Sequence, residues 1–533
     1  MGSERPVDLT PKERELVLTL LANYLPDTEV WAYGSRVKWT STPKSDLDLV
    51  AFATPDQAAA VEDLREAFEE SNLPFRVDLV VWDEVPESFR PRIGENYAAI
   101  ATPDRRAVGW RIVELGDCVV MNDRVYNARK PWPFIKYLDT GSITENRITR
   151  IQTLDPATDK IPTRARRLVR PGDLVYSTVR PNQRHFGLLK AVPENFLVST
   201  GFAVMRGIDG MADTGFVYHV LTHDRNVERL QAIAEHSTSA YPSVRPADLA
   251  RLTLRLPTLA EQRAIGRMLG ALDDRIGLNR RMNETLEAMA RALFRSWFVD
   301  FDPVRARMEG RATGLPPGIA DLFPNRIADS EMGEIPEGWE VTSLGEVAFV
   351  SRDGTDPASE ASDTPYIGLG DMPRGSIALT DWSKIGSVSS RKSTFLAGDI
   401  LFGKLRPYFH KVGIAPVDGF CSTDILVLRS RRPDWFSLVL ACVSSSEFVA
   451  HTSQSATGTK MPRTSWQAMS GYELCRPTDA IASGFERIVS PMLGRIVRNI
   501  HESRTLAALR DALLPKLVSG EIRVPTANRE AAR

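Results

Sequence analysis

The chain has 533 residues, of which 25% are charged and 43% hydrophobic, with 67 Lys+Arg against 68 Asp+Glu and a net charge of -1. That is the balance of a globular protein of about three or four domains, and no apolar run nears the roughly 20 residues that a membrane-spanning helix requires. The opening residues Met1 to Pro6 have no apolar core, so no secretory signal is expected; Cys118, Cys421, Cys442 and Cys475 form no Cys-x-x-Cys pair, which argues against a zinc ribbon or disulfide framework and for a cytoplasmic protein.

The near-neutral total hides an uneven split. Residues 1–100 carry 10 Lys+Arg against 19 Asp+Glu, and the remainder 57 against 49. In the acidic leader, Thr10, Pro11 and Glu13 predict a capped helix running to Leu25. Val30–Tyr33 reads as a strand entering Gly34-Ser35-Arg36, and residues 45–52 as a second strand. The strand period of two puts Asp46 and Asp48 on one side and Leu47 and Leu49 towards the core. A helix over 55–70 capped by Thr54 follows, then a third strand, 77–82, bearing Asp78. Three carboxylates on adjacent strands beside a small turn suit hard divalent cations and a triphosphate. Glycine lets backbone amides approach a phosphate, and Ser35 adds a donor. Taken one at a time, Asp46 and Asp48 also read as solvated residues of an edge strand. The joint pattern Gly34-Ser35, Asp46-x-Asp48 and Asp78 resembles the minimal nucleotidyltransferase domain of the polymerase-beta superfamily. The resemblance implies catalytic and metal-binding roles for Asp46, Asp48 and Asp78, nucleotide contacts from Gly34, Ser35 and Arg36, and Mg²⁺ with a nucleoside triphosphate as cofactors. It also implies transfer of a nucleotidyl group, often AMP, onto an acceptor that in small members is a protein.

Beyond the leader, residues 110–298 are echoed by 339–518. Trp110–Gly116 answers Trp339–Gly345, and Pro171–Pro181 answers Ala397–Pro407, at an offset of about 230 residues that shrinks along the chain. The period is too long for a solenoid, so two large modules are expected. Each module opens with strand-like segments broken by Pro-Gly or Ala-Gly turns and closes in a helix, over about 259–298 and 481–518. Ile265, Leu269, Leu272, Ile276, Leu286, Leu293 and Trp297 form a coiled-coil stripe in the first. Phe485, Val489, Met492, Ile496, Leu506, Leu513 and Leu517 do so in the second. Asn279 and Asn499 hold equivalent central places. If the helices pair antiparallel the two meet as a buried pair that sets register; otherwise both lie on a solvated rim.

Leu256–Ile265 with its Glu261-Gln262, Phe294–Asp302, Gly333–Val341 and Leu513–Val524 resemble the specificity (S) subunit of type I restriction-modification systems, over about residues 105–525. The second helix start, Pro477–Ala480, departs from that pattern in lacking Glu-Gln, and the acidic leader is additional to it. The expected architecture is an α+β multidomain chain. An N-terminal nucleotidyltransferase α/β domain (1–104) precedes two α/β target recognition domains (105–258 and 335–480). These are joined by two long antiparallel coiled-coil spacer helices (259–300 and 481–520), with a linker at 301–334 and a tail at 521–533. The resemblance implies sequence-specific reading of double-stranded DNA at an asymmetric bipartite site. Methyltransferase and restriction subunits are the implied partners, with no membrane and no cofactor of the S-subunit part itself. Two reading heads about one duplex turn apart, near 34–36 Å, suit that task.

The basic and amide-rich loops supply the DNA candidates: Arg164, Arg166, Arg167, Gln183, Arg184 and His185 in the first copy. The second offers Arg391, Lys392, Lys404, Tyr408, His410, Lys411, Lys460 and Arg463. Each also reads as an ordinary solvated side chain. Arg180 and Arg406 recur beside proline in both copies, which favours a shared structural or phosphate role. Gly398–Lys404 imitates a phosphate loop, but Leu405 stands where Ser or Thr would hold Mg²⁺. The rival reading is a protein-modifying nucleotidyltransferase whose repeats scaffold protein partners.

Overall fold

A computed structural model describes residues 7–26, 28–53, 57–101, 110–237, 241–351, 353–355, 362–386 and 392–524. The chain divides into two units, residues 1–267 with 514–533, and residues 268–513.

In the first unit, α1 (Pro11–Tyr24) opens as its residues predict: the Glu13 amide donates to the Thr10 hydroxyl, and the Thr10 amide to the Glu13 carboxylate. The chain continues through β1 (Val30–Tyr33), α2 (Ser35–Lys38), β2 (Leu47–Ala51), α3 (Ala58–Glu69), β3 (Val77–Val81) and β4 (Tyr97–Ala101). The sheet order is β3-β2-β1-β4, with β1 antiparallel to both neighbours and β2 parallel to β3. A parallel pair needs a crossover, and α3 supplies it. It starts at Ala58, behind Gln57; Thr54, expected as its cap, lies outside the described residues. Leu47, Leu49, Ala51 and Leu79 are buried in one cluster with Val17 and Leu21 of α1 and Val61, Leu64 and Phe68 of α3. Alternation therefore turns Asp48 and Asp78 to the opposite face.

The first module follows. Arg111–Glu114 and Thr253–Leu256 pair antiparallel, so the chain leaves the module beside where it entered and passes into the helix Leu259–Phe298. Between them, one sheet runs Phe186–Leu189, Asp173–Ser177, Phe202–Gly207, Val119–Met121. A second runs Gln152–Leu154, Ile135–Leu138, Phe196–Ser199, Ala165–Leu168.

The second unit repeats this plan. Glu340–Ser343 and Glu473–Arg476 pair ahead of the helix Asp479–Ser519, and the matching sheet runs Val412–Ile414, Ile400–Gly403, Ile425–Ser430, Ala348–Val350. The echo extends to side chains. Gly172 and Gly398 take positive φ, 88° and 91°, in the turn before an aspartate that caps that turn and pairs with an arginine. Asp173 meets Arg206 at 2.6 Å, and Asp399 meets Arg429 at 2.7 Å. Gly398 thus makes a strand-entry turn, and a strand rather than a helix follows it, which removes the phosphate-loop imitation.

The two long helices hold 40 and 41 residues, about 60 Å each at 1.5 Å per residue. In the second unit they pair antiparallel: Asp273 with Arg510, Arg275 with Glu502, Asn279 with Ser503, Asn283 with Asn499. Asn279 and Asn499 are fully buried, which rules out the solvated rim, but each side-chain amide bonds another residue and not its counterpart, a correction to the expected pair. Asn499 Nδ2 donates to Asn283 Oδ1 at 2.8 Å, and Asn279 Nδ2 to Ser503 Oγ at 3.3 Å. The antiparallel seam crosses between the two equivalent residues, so each reaches the position four residues from its counterpart. The stripe itself also differs. Asn283 and Glu287 join Asn279 in its buried middle, beyond the single asparagine read there, and Leu493 and Ile500 are buried in the second helix while Met492 and Leu506 are only partly so.

The missing Glu-Gln of the second helix has a structural counterpart. Gln262 is fully buried: it accepts from the Asp213 amide and donates to the Met211 and Pro257 carbonyls, while Asp213 caps the helix Thr214–Thr222. In the second copy Ala482 stands in its place, and Glu486, one turn on, accepts from the Ser437 amide at the start of Phe436–Val443, whose own cap residue is Trp435. The long helix thus supplies the missing cap.

Candidate functional site

In the leader, sheet register builds the site. Tyr33 faces Asp48 across the β1–β2 pair, and Asp48 faces Asp78 across the parallel β2–β3 pair. A phenol and two carboxylates therefore stand in a row, with Asp46 exposed just ahead of β2 and two residues from Asp48. Burial, then the charges of Asp78 and Asp46, push the Asp48 carboxyl above its ordinary range, with Arg36 acting the other way. Burial, then the charges of Asp48 and Asp78, push Tyr33 up to about 12. Gly34 closes the row from the side. Its φ is 78° and its ψ -148°, and a Cβ there would lie 2.1 Å from Asp48 Oδ2. Glycine is required twice over, for its backbone and for its lack of a side chain. Ser35 begins α2 directly behind it.

Arg36, for which the resemblance implied a nucleotide contact, is engaged by the protein itself. Its side chain is buried, donating from Nε and Nη2 to the Ser45 carbonyl (3.1 and 2.7 Å) and from Nη1 to the Asp8 carbonyl (2.8 Å), with its guanidinium 3.8 Å from the centre of the Phe75 ring. It braces the loop that delivers Asp46 and Asp48. Among the described residues no ready-made cluster of three His, Cys, Asp or Glu converges on a metal position. The donor set still suits Mg²⁺, which binds through one or two carboxylates and completes its shell with waters and substrate phosphates. The mutual repulsion felt at Asp48 is what a cation there would relieve.

The loop candidates of the modules fall into three groups. Several are tied to the protein itself: Arg184 to Glu145 and Asp224, Arg463 to Asp424, His185 Nδ1 to the Ile143 carbonyl, His410 Nε2 to the Ser444 carbonyl and Lys411 to the Leu369 carbonyl. Each of these is engaged by a carboxylate or carbonyl that the fold brings from more than 30 residues away in sequence. Arg167 is half-buried, and burial pushes its pKa down. Arg164, Arg166, Gln183 and Lys460 are exposed, Tyr408 is 53% exposed, and Lys392 and Lys404 are half-buried. Arg391 lies outside the described residues.

Residues 14–101 match the family described as the nucleotidyltransferase domain, and residues 107–288 match the type I restriction modification DNA specificity domain. Over 106 residues the chain is 41% identical to the probable protein adenylyltransferase MntA of Haemophilus influenzae, spanning 20% of this chain and 93% of that one. Over 466 residues it is 25% identical to the type I restriction enzyme HindI specificity subunit of the same organism, spanning 78% of this chain and 99% of that one. Through its N-terminal domain the chain belongs to the nucleotidyltransferase family, and beyond it the chain is similar to type I specificity subunits. The crystal structure of a type I restriction-modification S subunit from M. genitalium aligns over 77% of this chain and 96% of its own, at 14% identity and a TM-score of 0.47.

Some residues of the nucleotidyltransferase domain and the specificity modules escaped the sequence reading. Tyr33 was seen only as a strand residue; the register that sets it against Asp48 is not visible along the chain. Glu287 lay in a helix read for its apolar stripe, yet it is buried, accepting from Ser376 Oγ at 2.7 Å and the Ile377 amide at 3.2 Å. Arg374 sits with its guanidinium 3.9 Å from the Phe409 ring centre and adds positive charge beside Lys411. Among the described residues no helix is long and apolar enough to cross a membrane.

Proposed function

We propose that this chain reads double-stranded DNA for a type I restriction-modification system, and that its N-terminal domain is a working nucleotidyltransferase attached to that system. The observation that carries the first part is the duplication: two modules of one topology, each closed by a long helix, with the helices antiparallel in their shared unit. Two such modules with different loops suit an asymmetric bipartite target with unread base pairs between its halves. Methyltransferase and restriction subunits would supply cleavage and methylation. The domain limits drawn from the sequence, 105–258 and 335–480 for the reading heads, are the units we assign to the two half-sites.

For the N-terminal domain, the row Asp48–Asp78 with Asp46 beside it supports transfer from a nucleoside triphosphate. These three carboxylates would hold Mg²⁺, which when bound neutralises the phosphates. Gly34 leaves room for the triphosphate against the turn and Ser35 offers it a hydroxyl. An acceptor oxygen forms the new bond to the α-phosphorus as the bond to pyrophosphate breaks, and the acceptor proton passes to a carboxylate of the row. The acceptor class best supported is a protein hydroxyl, from the likeness to a protein adenylyltransferase.

Two assays test the parts separately. Selection from random duplexes, with a methyltransferase partner present, is expected to enrich two short motifs at fixed spacing; no enrichment favours the rival in which the modules scaffold proteins. Incubation with labelled ATP, Mg²⁺ and candidate acceptor proteins is expected to label one of them, and Asp46→Ala and Asp48→Ala to abolish the label.

A further inference from the structure

Besides the Gly-Asp turn, the two modules preserve one elbow in backbone detail. Arg180 and Arg406 are left-handed, with φ 47° and 51°, and each precedes a proline that opens a 3-10 turn. The residue four places on, Arg184 or His410, is left-handed too, at φ 55° and 51°. A residue before proline prefers extended backbone and a non-glycine residue avoids positive φ, so the elbow is held against two preferences in both copies. Such backbone persists only where its surroundings enforce it, and it gathers at functional places.

The enforcing bonds are duplicated as well. The Arg180 amide donates to the Pro242 carbonyl at 2.9 Å, and the Arg406 amide to the Pro462 carbonyl at 2.7 Å. Two residues on, the Val244 amide donates to Thr178 and the Thr464 amide to Lys404, from positions that are 3% exposed in both copies. What these bonds hold out is the residue before each proline: Tyr241, 60% exposed, and Met461, 47% exposed. The elbow arginine steadies that tip in each case. The Arg180 guanidinium lies 5.4 Å from the Tyr241 ring centre, and Arg406 Nη2 donates to the carbonyl of Lys460, next to Met461.

Single exposed apolar residues need no explanation. A matched pair at pinned tips, each beside a cation, does. We infer that Tyr241 and Met461 are base-contacting residues of the two modules, each laying an apolar surface against base edges while Arg180 and Arg406 meet the flanking phosphates. Apolar side chains distinguish thymine by its methyl group, whereas a cation on phosphate adds affinity without sequence preference. A rigid ring and a flexible thioether suit different base pairs, so the two half-sites differ where these tips touch. The assignment rests on the DNA reading proposed above and names residues for it.

The test repeats the duplex selection with the full chain and its methyltransferase partner, using Tyr241→Ala, Met461→Ala and the exchange Tyr241→Met with Met461→Tyr. Each alanine variant is expected to relax preference at one position of one half-site by roughly tenfold. The other half-site, the spacing and the salt dependence stay as they are, and the exchange alters both positions. Arg180→Gln is expected to lower the slope of log affinity on log salt by about 1 with preference intact. Both tips lie at the surface, so unchanged melting certifies each variant as folded. Unaltered preference in both alanine variants, or a loss spread evenly over all sequences, overturns the assignment. A wild-type chain that enriches nothing overturns the reading beneath it, and the assignment with it.

Discussion

Asp48 concentrates the chemistry of the leader, flanked by Asp78 across one strand pair, Tyr33 across the other and Gly34 against its oxygen. Removing its charge with Asp48→Asn keeps the shape, and a drop of about 10²–10³-fold in label transfer is expected, with melting at or above that of the parent because a repelled carboxylate has gone. Gly34→Ala should act oppositely on stability. The new methyl group would overlap Asp48 and force a backbone strained by about 1–3 kcal/mol, so both transfer and melting fall. Scanning calorimetry beside the labelling assay separates the two variants. The carboxylates themselves were legible because alternation along β2 and the Gly-Ser spacing are properties of the sequence. Arg36 was not: the resemblance implied a nucleotide contact, and only the fold reveals the Ser45 and Asp8 carbonyls that enclose it.

The long helices were legible to within two residues at either end, since sustained periodicity marks both and the Thr258–Glu261 start marks the first. Asn279 and Asn499 were legible as central polar residues, but Asn283 and Glu287 were not, because a pattern of apolar residues passes over the polar side chains that two facing helices place together. Asn283→Leu leaves Asn499 Nδ2 buried without its acceptor, and a loss of about 1–3 kcal/mol is expected. The double change with Asn499→Leu should recover stability but admit more than one alignment, visible as disulfide trapping by cysteine pairs at several offsets. Glu287 provides the pH dependence. Burial outweighs its hydrogen bonds and raises its pKa above the ordinary 4.5, so its contribution is fully present below that value and is lost as pH rises through the folded pKa. Glu287→Gln keeps an acceptor for Ile377 and should melt higher than the parent near pH 7, with the gap closing as pH falls towards about 4.5. A gap that widens on acidification would refute this sign.

Across the whole chain, two chemistries share one polypeptide with opposite charge: the leader is acidic and the remainder mildly basic. An acidic domain is repelled by the DNA backbone, so the selection profile of the Asp46→Ala, Asp48→Ala double variant on random duplexes is expected to match that of the parent, with a similar dependence on salt. A shifted profile would mean that the transferase site takes part in reading. The duplication was legible at this scale because Pro-Gly-Asp and Ala-Gly-Asp turns survive divergence, whereas the pairing of the loop cations was not, since Arg184 and Arg463 find their partners 39 or 40 residues away.

The alternative caps of the two modules set a rule for shuffling. Gln262 belongs with Met211 and Asp213, and Glu486 with Ser437, so each reading head is mated to the first two turns of its own helix. A hybrid spliced at Pro257 or Pro477 would strand one head without its clasp and give the other a carboxylate where Gly266 leaves no room beside Asp213. New target specificities should therefore arise by crossovers placed beyond those turns, and the heritable cassette is larger than the globular module by about ten residues of helix.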